Sequence, residues 1–572
     1  MSTAIEHRFK AYDGSEIFYR HWPASQPSGR TLLLFHRGHE HSGRWEETVE
    51  KLALRDVDIY AWDQRGHGLS PGERGSALNL AQVIRDANDW VRHLVDAHQL
   101  AIENTCVLAH SVGAVIATAW VHDYGPPIRG LILATPAFKV RLYVPLAIPS
   151  LRLKQKIVGP GYVKSYVKSR MLTHDREQAR AYNADEKIFR QIAINILLDL
   201  HDTSKRLLAD AGTITTPTLI LTAGNDWVVS IDAQTKFLER LGSPIKQLEV
   251  FPEMSHAIFH EVNRQAVVDR TRTFLNECFE RPAPTTNLLD ADHGGATRTE
   301  FDSLHTPSKL KWRVQRASMK TIGRLSTGVC LGWREGFDSG VMLDHVYLNK
   351  PSGTTFLGRF IDKQFLNAIG WRGIRIRSEN LRELLTQTIR AQHAAGQQVH
   401  ILDIAAGPGR YVLETMKSLP EIPVRATLRD YKSANLDAAR ALASELGLSD
   451  NVTIVQGDAF DRASYASINP KPTIGIISGL LELFPSNENP RRSLTAMSET
   501  IAPGGSLIYT CQPWHPQVEM IARTLTNREG KPWIMRRRAQ AEMDPLVRAA
   551  GFQKLDQRID PWGIFTVSIA RR

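Results

Sequence analysis

The stretch "TCVLAHSVGAVIATAWVHDY", Thr105–Tyr124, decides how the first half of this chain is read. Its opening six residues form an apolar-rich run with the length of a buried strand. From Val112 onward, small and apolar residues dominate the next thirteen positions, as in a buried helix. Ser111 falls at the junction, with Ala109 two residues before it and Gly113 two after. A sharp strand-to-helix turn tolerates little bulk at those two positions. Ala109, where a glycine is usual, still meets that demand.

Outward from this turn, apolar runs alternate with helical patterns. In the first half the runs are Thr31–Phe35, Val57–Trp62, Thr105–Ala109, Gly130–Ala134, Thr218–Thr222 and Gln247–Phe251. In the second they are Val399–Ile404, Arg425–Arg429, Val452–Gln456, Thr473–Ser478 and Ser506–Thr510. Continuous runs of this kind mark parallel sheets covered on both faces, hence an α/β class for both halves. Between them, Pro282–Thr299 is rich in Pro, Gly, Thr and Asp and has no apolar period. The expected organisation is a domain over 1–281, a linker over 282–299 and a second domain over 300–572.

The 572 residues carry a formal charge of +11, with 42% hydrophobic and 23% charged residues. That balance is ordinary for globular protein. The positive charge permits an anionic membrane surface or nucleic acid as partner without selecting either. The four cysteines lie far apart and form no C-x-x-C pair, so neither a metal site nor a disulfide framework is expected, and a reducing compartment fits. The N-terminus lacks the apolar core of a secretory signal. No stretch reaches the ~18 apolar residues of a membrane span. The most lipid-like piece, Leu142–Leu151, is too short, so the expected location is cytoplasmic, with peripheral contact at the inner face of the membrane as one reading.

A serine nucleophile needs a histidine base, a carboxylate to orient that base, and backbone N–H groups for the oxyanion. The sequence offers these in the order Ser, Asp, His. "TPTLILTAGNDWVVS" is a strand leading to Asp226, and "LEVFPEMSHAIFHE" is a strand leading to His256. The loop in "LLLFHRGHEHSGRW" can present the Gly38 N–H beside that of Val112. Cys106 lies inside its strand and reads as a small buried hydrophobe. The motifs "HRGHEHSGRW", "DQRGHGLSPGERG", "LAHSVGAVIA" and "MLTHDREQARAYNAD" resemble the monoacylglycerol lipase and lysophospholipase branch of the α/β-hydrolases over roughly residues 8–280. The resemblance implies metal-free hydrolysis of lipid-like or small acyl esters, with a cap, about 139–210, over the site. Arg37 departs from the glycine that usually follows the loop histidine. The cap carries "FKVRLYVPLAIPSLRLKQK", which mixes basic and aliphatic residues and suits either an anionic bilayer or packing on the sheet.

In the second half, "HILDIAAGPGRYVLETM" is a strand, a glycine-rich turn and a helix, with small residues at Ala405, Gly407 and Gly409. Such a turn lets backbone approach a nucleotide-like ligand closely. Later strands end in Asp430 and Asp458, and Asp430 stands where an acid grips ribose hydroxyls. The absence of a P-loop argues against ATP hydrolysis; a dinucleotide reductase is the main rival for a single glycine loop. The set "LDIAAGPGR", "RDY", "GDAFD" and "IAPGG" resembles class I methyltransferases with a Rossmann-like fold. That resemblance implies S-adenosyl-L-methionine as cofactor. It places Asp403 and the Ala405–Gly409 loop at the methionine part, Asp430 at the ribose, and Asp458 with Ala459 at the adenine. Glu482 in "SGLLELFPSNENP" is the candidate base. Trp333, Phe337, Tyr347, Phe356 and Trp371, in the region before the loop, read as core more than as substrate contacts. The methyl acceptor is unknown, and nothing singles out nucleic acid.

The expectation is thus a bifunctional chain, a capped serine ester hydrolase fused to a methyltransferase, at the edge of phospholipid metabolism. Two alternatives stay open. One is a thioesterase or peptidase on the same triad. The other is an RNA-binding methyltransferase whose degenerate hydrolase half serves as a docking module.

Overall fold

Ten strands and their covering helices make up the first of two units, Met1–Thr286, in a computed structural model that describes residues 3–282, 288–307 and 309–572. The strands are β1 (Ile5–Lys10), β2 (Glu16–Trp22), β3 (Arg30–Phe35), β4 (Val57–Trp62), β5 (Thr105–His110), β6 (Gly130–Ala134), β7 (Tyr162–Lys164), β8 (Gln191–Ala193), β9 (Thr218–Ala223) and β10 (Lys246–Phe251). Eight of them form one sheet in the order β1-β2-β4-β3-β5-β6-β9-β10. The pairs from β4 to β10 are parallel, and β1 and β2 are added antiparallel at one edge. The central strands β5, β6 and β9 are buried at every position, which is why they read as unbroken apolar runs. Leu32, Leu34, Ile59, Leu108, Ile132 and Leu219 pack with Val49, Leu52, Val267 and Phe274 of the helices Glu46–Leu52 and Arg264–Glu280.

The segment expected as a cap leaves the sheet after β6 and returns at β9. It holds the short β7/β8 hairpin and the helices Ala147–Val158, Arg176–Ala184 and Ile194–Asp210.

The second unit, Asn287–Arg572, contains β11 (Val399–Ile404), β12 (Val424–Asp430), β13 (Val452–Gln456), β14 (Ile474–Ile477), β15 (Ser506–Cys511), β16 (Gln553–Ile559) and β17 (Thr566–Arg571). Their order is β13-β12-β11-β14-β15-β17-β16, with β17 antiparallel to both neighbours and the rest parallel. Chain order reverses between β11 and β14. In an open α/β sheet a ligand binds at such a switch, beyond the carboxyl ends of the strands. Before β11 the chain is helical, and its Phe337, Met342, Val346 and Trp371 pack with Trp533, Ile564 and Phe565 from the far end of the sequence.

The expected linker is shorter than composition suggested. Residues 283–287 lie outside the described part, but 288–299 are fastened within the second unit. Asp292 is buried and accepts a hydrogen bond from the Asn487 amide at 2.7 Å, and Arg491 donates to the Leu289 carbonyl. Polar residues make these bonds, so the segment shows no apolar period although it is built into the domain. No helix among the described residues is long and apolar enough to cross a membrane.

Candidate active sites

Ser111 joins β5 to the helix Val112–Tyr124 with φ 56° and ψ −115°. This conformation costs energy for a residue with a side chain and persists only where the surroundings enforce it. The enforcement is visible at Gly113, where a Cβ would come within 2.8 Å of the Phe35 carbonyl and 2.3 Å of the His36 carbonyl. The helix therefore sits directly on the end of β3, and the turn holds Ser111 at the cavity floor.

Three residues far apart in sequence meet there. His256 Nε2 lies 2.8 Å from Ser111 Oγ, and His256 Nδ1 lies 2.8 Å from Asp226 Oδ2. An ionised carboxylate only accepts, so Nδ1 carries the proton and Nε2 is free to accept from the serine. Burial opposes the charge on Asp226. The His256 ring and the amides of Val228 and Val229 outweigh that effect and hold its pKa below the usual carboxylate range. Behind the ring, His110 Nε2 and Thr135 Oγ1 each lie 3.0 Å from the His256 carbonyl. Burial pushes the His110 pKa well down, so it is the neutral ring that donates there. Neither contact was read from the sequence.

Gly38 and Val112 face the same cavity, and a Cβ on Gly38 would touch the Val112 side chain at 3.0 Å. The loop that carries Gly38 is braced by His36. Its Nε2 accepts from the Gln64 amide at 3.0 Å, so its Nδ1 donates to the Arg37 carbonyl at 2.7 Å. Arg37 borders the same cavity with its charge already paired. It is buried, pairs with Glu40 through Nε at 2.9 Å and also through Nη2, and lies over the Tyr182 ring. The cavity, about 140 Å³, is walled by the cap residues Val163, Leu172, Ile196, Leu197 and Leu200. The described residues lining it include no Asp or Glu.

In the second unit, the loop after β11 and the ends of β12 and β13 line one cleft of about 620 Å³. Ala405, Gly407, Gly409, Asp430, Asp458 and Ala459 all border it. Ala405, Gly407 and Gly409 have φ of 55°, 58° and 67°, a left-handed run that glycine adopts at least cost. A Cβ on Gly407 would have nothing closer than the Gly340 Cα at 3.8 Å, so the backbone there faces open space. Asp430 is drawn to the loop itself, accepting from the amides of Gly407 and Lys432 and from the Asn435 side chain. Asp403 differs from expectation. It is wholly buried beneath the loop and does not border the cleft. Burial, and the charge of Asp430, push its pKa well up despite the Tyr411 phenol, a shift that favours the neutral carboxyl.

Glu482 follows β14 as expected but is buried. Its Oε1 accepts from Arg377 at 3.3 Å, and it lines a second, smaller cavity beside the cleft. Trp371 lines that cavity, Tyr347 lines the cleft, Phe337 is core, Trp333 packs against Phe337, and Phe356 is 80% exposed. Arg377, Gln512, His515 and Trp533 were missed, because nothing in their local sequence marks them as cavity residues.

Fold and sites define a capped α/β-hydrolase joined to a Rossmann-like methyltransferase. Two family descriptions match accordingly: "Serine aminopeptidase, S33" over residues 26–263 and "Putative methyltransferase" over 271–572. The chain belongs to the latter family, and both of its halves are enzyme domains. The "Uncharacterized protein YnbC" of Escherichia coli (strain K12) is 46% identical over 575 residues, covering 99% of this chain and 98% of that protein. The monoacylglycerol lipase of Mycolicibacterium smegmatis is 26% identical over 279 residues, 48% of this chain and 98% of the lipase. The monoglyceride lipase of Homo sapiens is 26% identical over 276 residues, 46% of this chain and 89% of the lipase. The first half is a monoacylglycerol lipase-like hydrolase domain, fused to the methyltransferase domain.

Proposed function

We propose that the first unit hydrolyses carboxylic esters of lipid-like or small acyl substrates, and that the second transfers methyl groups from S-adenosyl-L-methionine. The observation that carries the first reading is the unbroken hydrogen-bonded chain Ser111–His256–Asp226 on the floor of an apolar cavity. His256 takes the proton of Ser111 as the hydroxyl attacks the acyl carbon, and returns it to the leaving alcohol. The Gly38 and Val112 amides hold the oxyanion. The assembled triad argues against a degenerate docking module. An aminopeptidase must also hold a substrate ammonium group. This cavity would meet that group with Arg37, Arg65 and histidines and no lining carboxylate, so esters are favoured.

The glycine loop, Asp430 and Asp458 suit a nucleoside-bearing donor. The open space at Gly407 admits ligand against backbone, and Asp430 accepts three hydrogen bonds of the roughly four a carboxylate can take. S-adenosyl-L-methionine would supply an electrophilic methyl group. This chain's part is to hold the ribose through Asp430 and the base through Asp458 and Ala459.

The cap supports a peripheral membrane contact. Tyr143, Val144, Leu146, Leu153, Ile157 and Val158 are each more than half exposed, and Lys154 and Lys156 stand exposed among them. Apolar side chains flanked by lysines fit an anionic bilayer surface.

The test is hydrolysis of p-nitrophenyl esters and monoacylglycerols by the full chain, beside calorimetric titration with S-adenosylhomocysteine. Loss of hydrolysis in Ser111→Ala and a saturable heat in the titration support the reading; an active Ser111→Ala variant overturns its first half.

A further inference from the structure

The cavity beside the cleft, about 240 Å³, is walled by Trp371, Ile374, Leu525, Trp533 and Phe565. It shares Arg377, Gly479, Leu483 and Trp533 with the cleft, so the two spaces adjoin. Four side chains on its wall hold buried polar atoms with no hydrogen-bond partner: Arg377 Nε, Gln512 Nε2, Trp533 Nε1 and Glu482 Oε2. The four residues are 3%, 2%, 8% and 7% exposed. An unsatisfied buried polar atom has lost its hydrogen bond to water without replacement, and proteins keep few of them. Four around one apolar cavity point to a ligand that bonds to several of them.

Their inventory limits the ligand. These four atoms are three donors and one acceptor, next to a paired cation and anion. Burial opposes the Arg377 charge, yet Tyr347 and Glu482 raise its pKa above the ordinary value, so the guanidinium stays charged. A carboxylate has acceptors only and would face the Glu482 carboxylate. An ammonium has donors only and would face Arg377. A hydroxyl has one hydrogen and two lone pairs, which suits Glu482 Oε2 on one side and the Arg377 and Gln512 donors on the other. The aromatic and aliphatic wall takes the apolar body that carries it.

We propose that this cavity binds the methyl acceptor, and that the acceptor is a hydroxyl on a small apolar body, a phenol or an alkyl alcohol. The proposal rests on reading the adjoining cleft as the methyl-donor site. Glu482 Oε2 takes the hydroxyl proton while the hydroxyl oxygen forms the new O–CH₃ bond. The S–CH₃ bond of the methylsulfonium donor breaks, and its electron pair stays on sulfur. Arg377 positions Glu482 through its bond to Oε1.

The test titrates the full chain, with and without S-adenosylhomocysteine, with four probes: 4-butylphenol, 1-hexanol, butylbenzene and 4-butylbenzoate. Either hydroxyl probe should bind about tenfold or more tightly than butylbenzene and 4-butylbenzoate, because among the four probes only a hydroxyl can both donate to Glu482 Oε2 and accept from the facing donors. The stronger of the two identifies the body. Glu482→Gln should remove the hydroxyl preference while leaving butylbenzene binding in place, and Trp371→Ala should weaken every probe. Incubation with S-adenosylmethionine should give the methyl ether of the bound probe. Equal binding of butylbenzene and the hydroxyl probes, tighter binding of the benzoate, or no binding by wild-type protein that does take up S-adenosylhomocysteine would each overturn the proposal. Hydroxyl binding without any S-adenosylhomocysteine binding would instead overturn the donor reading of the cleft.

Discussion

The carboxylate of Asp430, at the end of β12, accepts a hydrogen bond from the amide of Gly407 at 2.8 Å, so the acid ties down the loop it was expected to complement. Gly407→Val should abolish S-adenosylhomocysteine binding, because a β-branched side chain fills the open space in front of that amide and disfavours its positive φ. Asp430→Ala loses both the ligand contacts and the brace on the loop. Its dissociation constant should rise about 10- to 100-fold, the scale of one or two charge-assisted hydrogen bonds. Calorimetric titration of the full chain reads both.

At the other site, Asp226→Asn should leave the fold intact and lower ester hydrolysis by roughly 10⁴, since an amide partner favours the wrong imidazole tautomer. Fluorophosphonate labelling should be lost in Ser111→Ala. Normal labelling of that variant would place the nucleophile elsewhere.

Arg37 and Glu40 are both buried and paired. Removing the arginine strands the carboxylate, with Arg44 Nε at 3.7 Å left beside it. Arg37→Ala should therefore destabilise the first unit by about 3 kcal/mol, whereas Arg37→Met with Glu40→Leu should recover most of that loss. Urea midpoints of the three proteins give the comparison. A fully stable single variant would show that the pair is not desolvated.

Asp403 has a pKa raised well above its ordinary value of 3.8. As pH rises past the unfolded-state value, the unfolded chain releases this proton while the folded chain keeps it, so folding is weakened with increasing pH. Asp403→Asn removes the effect. Relative to wild type, the variant should gain stability as pH rises above about 4, by at most about 1.4 kcal/mol per pH unit. A difference in unfolding free energy that does not change with pH would mean that Asp403 is ionised in the folded protein.

Cutting the gene between Thr286 and Asn287 should give two soluble proteins, each with its own sheet and site. Cutting at Asp292 should give a less stable second fragment, because Arg491 and the Asn487 side chain lose the Leu289 carbonyl they donate to. Thermal unfolding of the two versions of that fragment measures the difference.

Where a strand is buried on both faces, sequence shows it, because most positions are apolar; β5, β9 and β11 are of this kind. The turn at Ser111 and the glycine loop were legible for a related reason, since a left-handed backbone or a close approach admits few residue types. β1, β2, β16 and β17 escaped notice: β1 and β16 are edge strands, β2 and β17 are their neighbours, and all four carry polar residues in their runs. The triad's members could be chosen from strand ends, but only the parallel order of β5, β9 and β10 brings them within hydrogen-bond distance. Net charge says nothing of where a charge sits: Arg536, Arg537 and Arg538 are all buried, and Arg538 donates to the carbonyls of Leu481, Phe484 and Ser486 in the segment that carries Glu482. Which cavity a buried polar group faces, and whether its partner is protein or ligand, depends on residues hundreds of positions away. Local pattern carries a residue's backbone demands and its share of the core, and tertiary structure alone decides what meets its side chain.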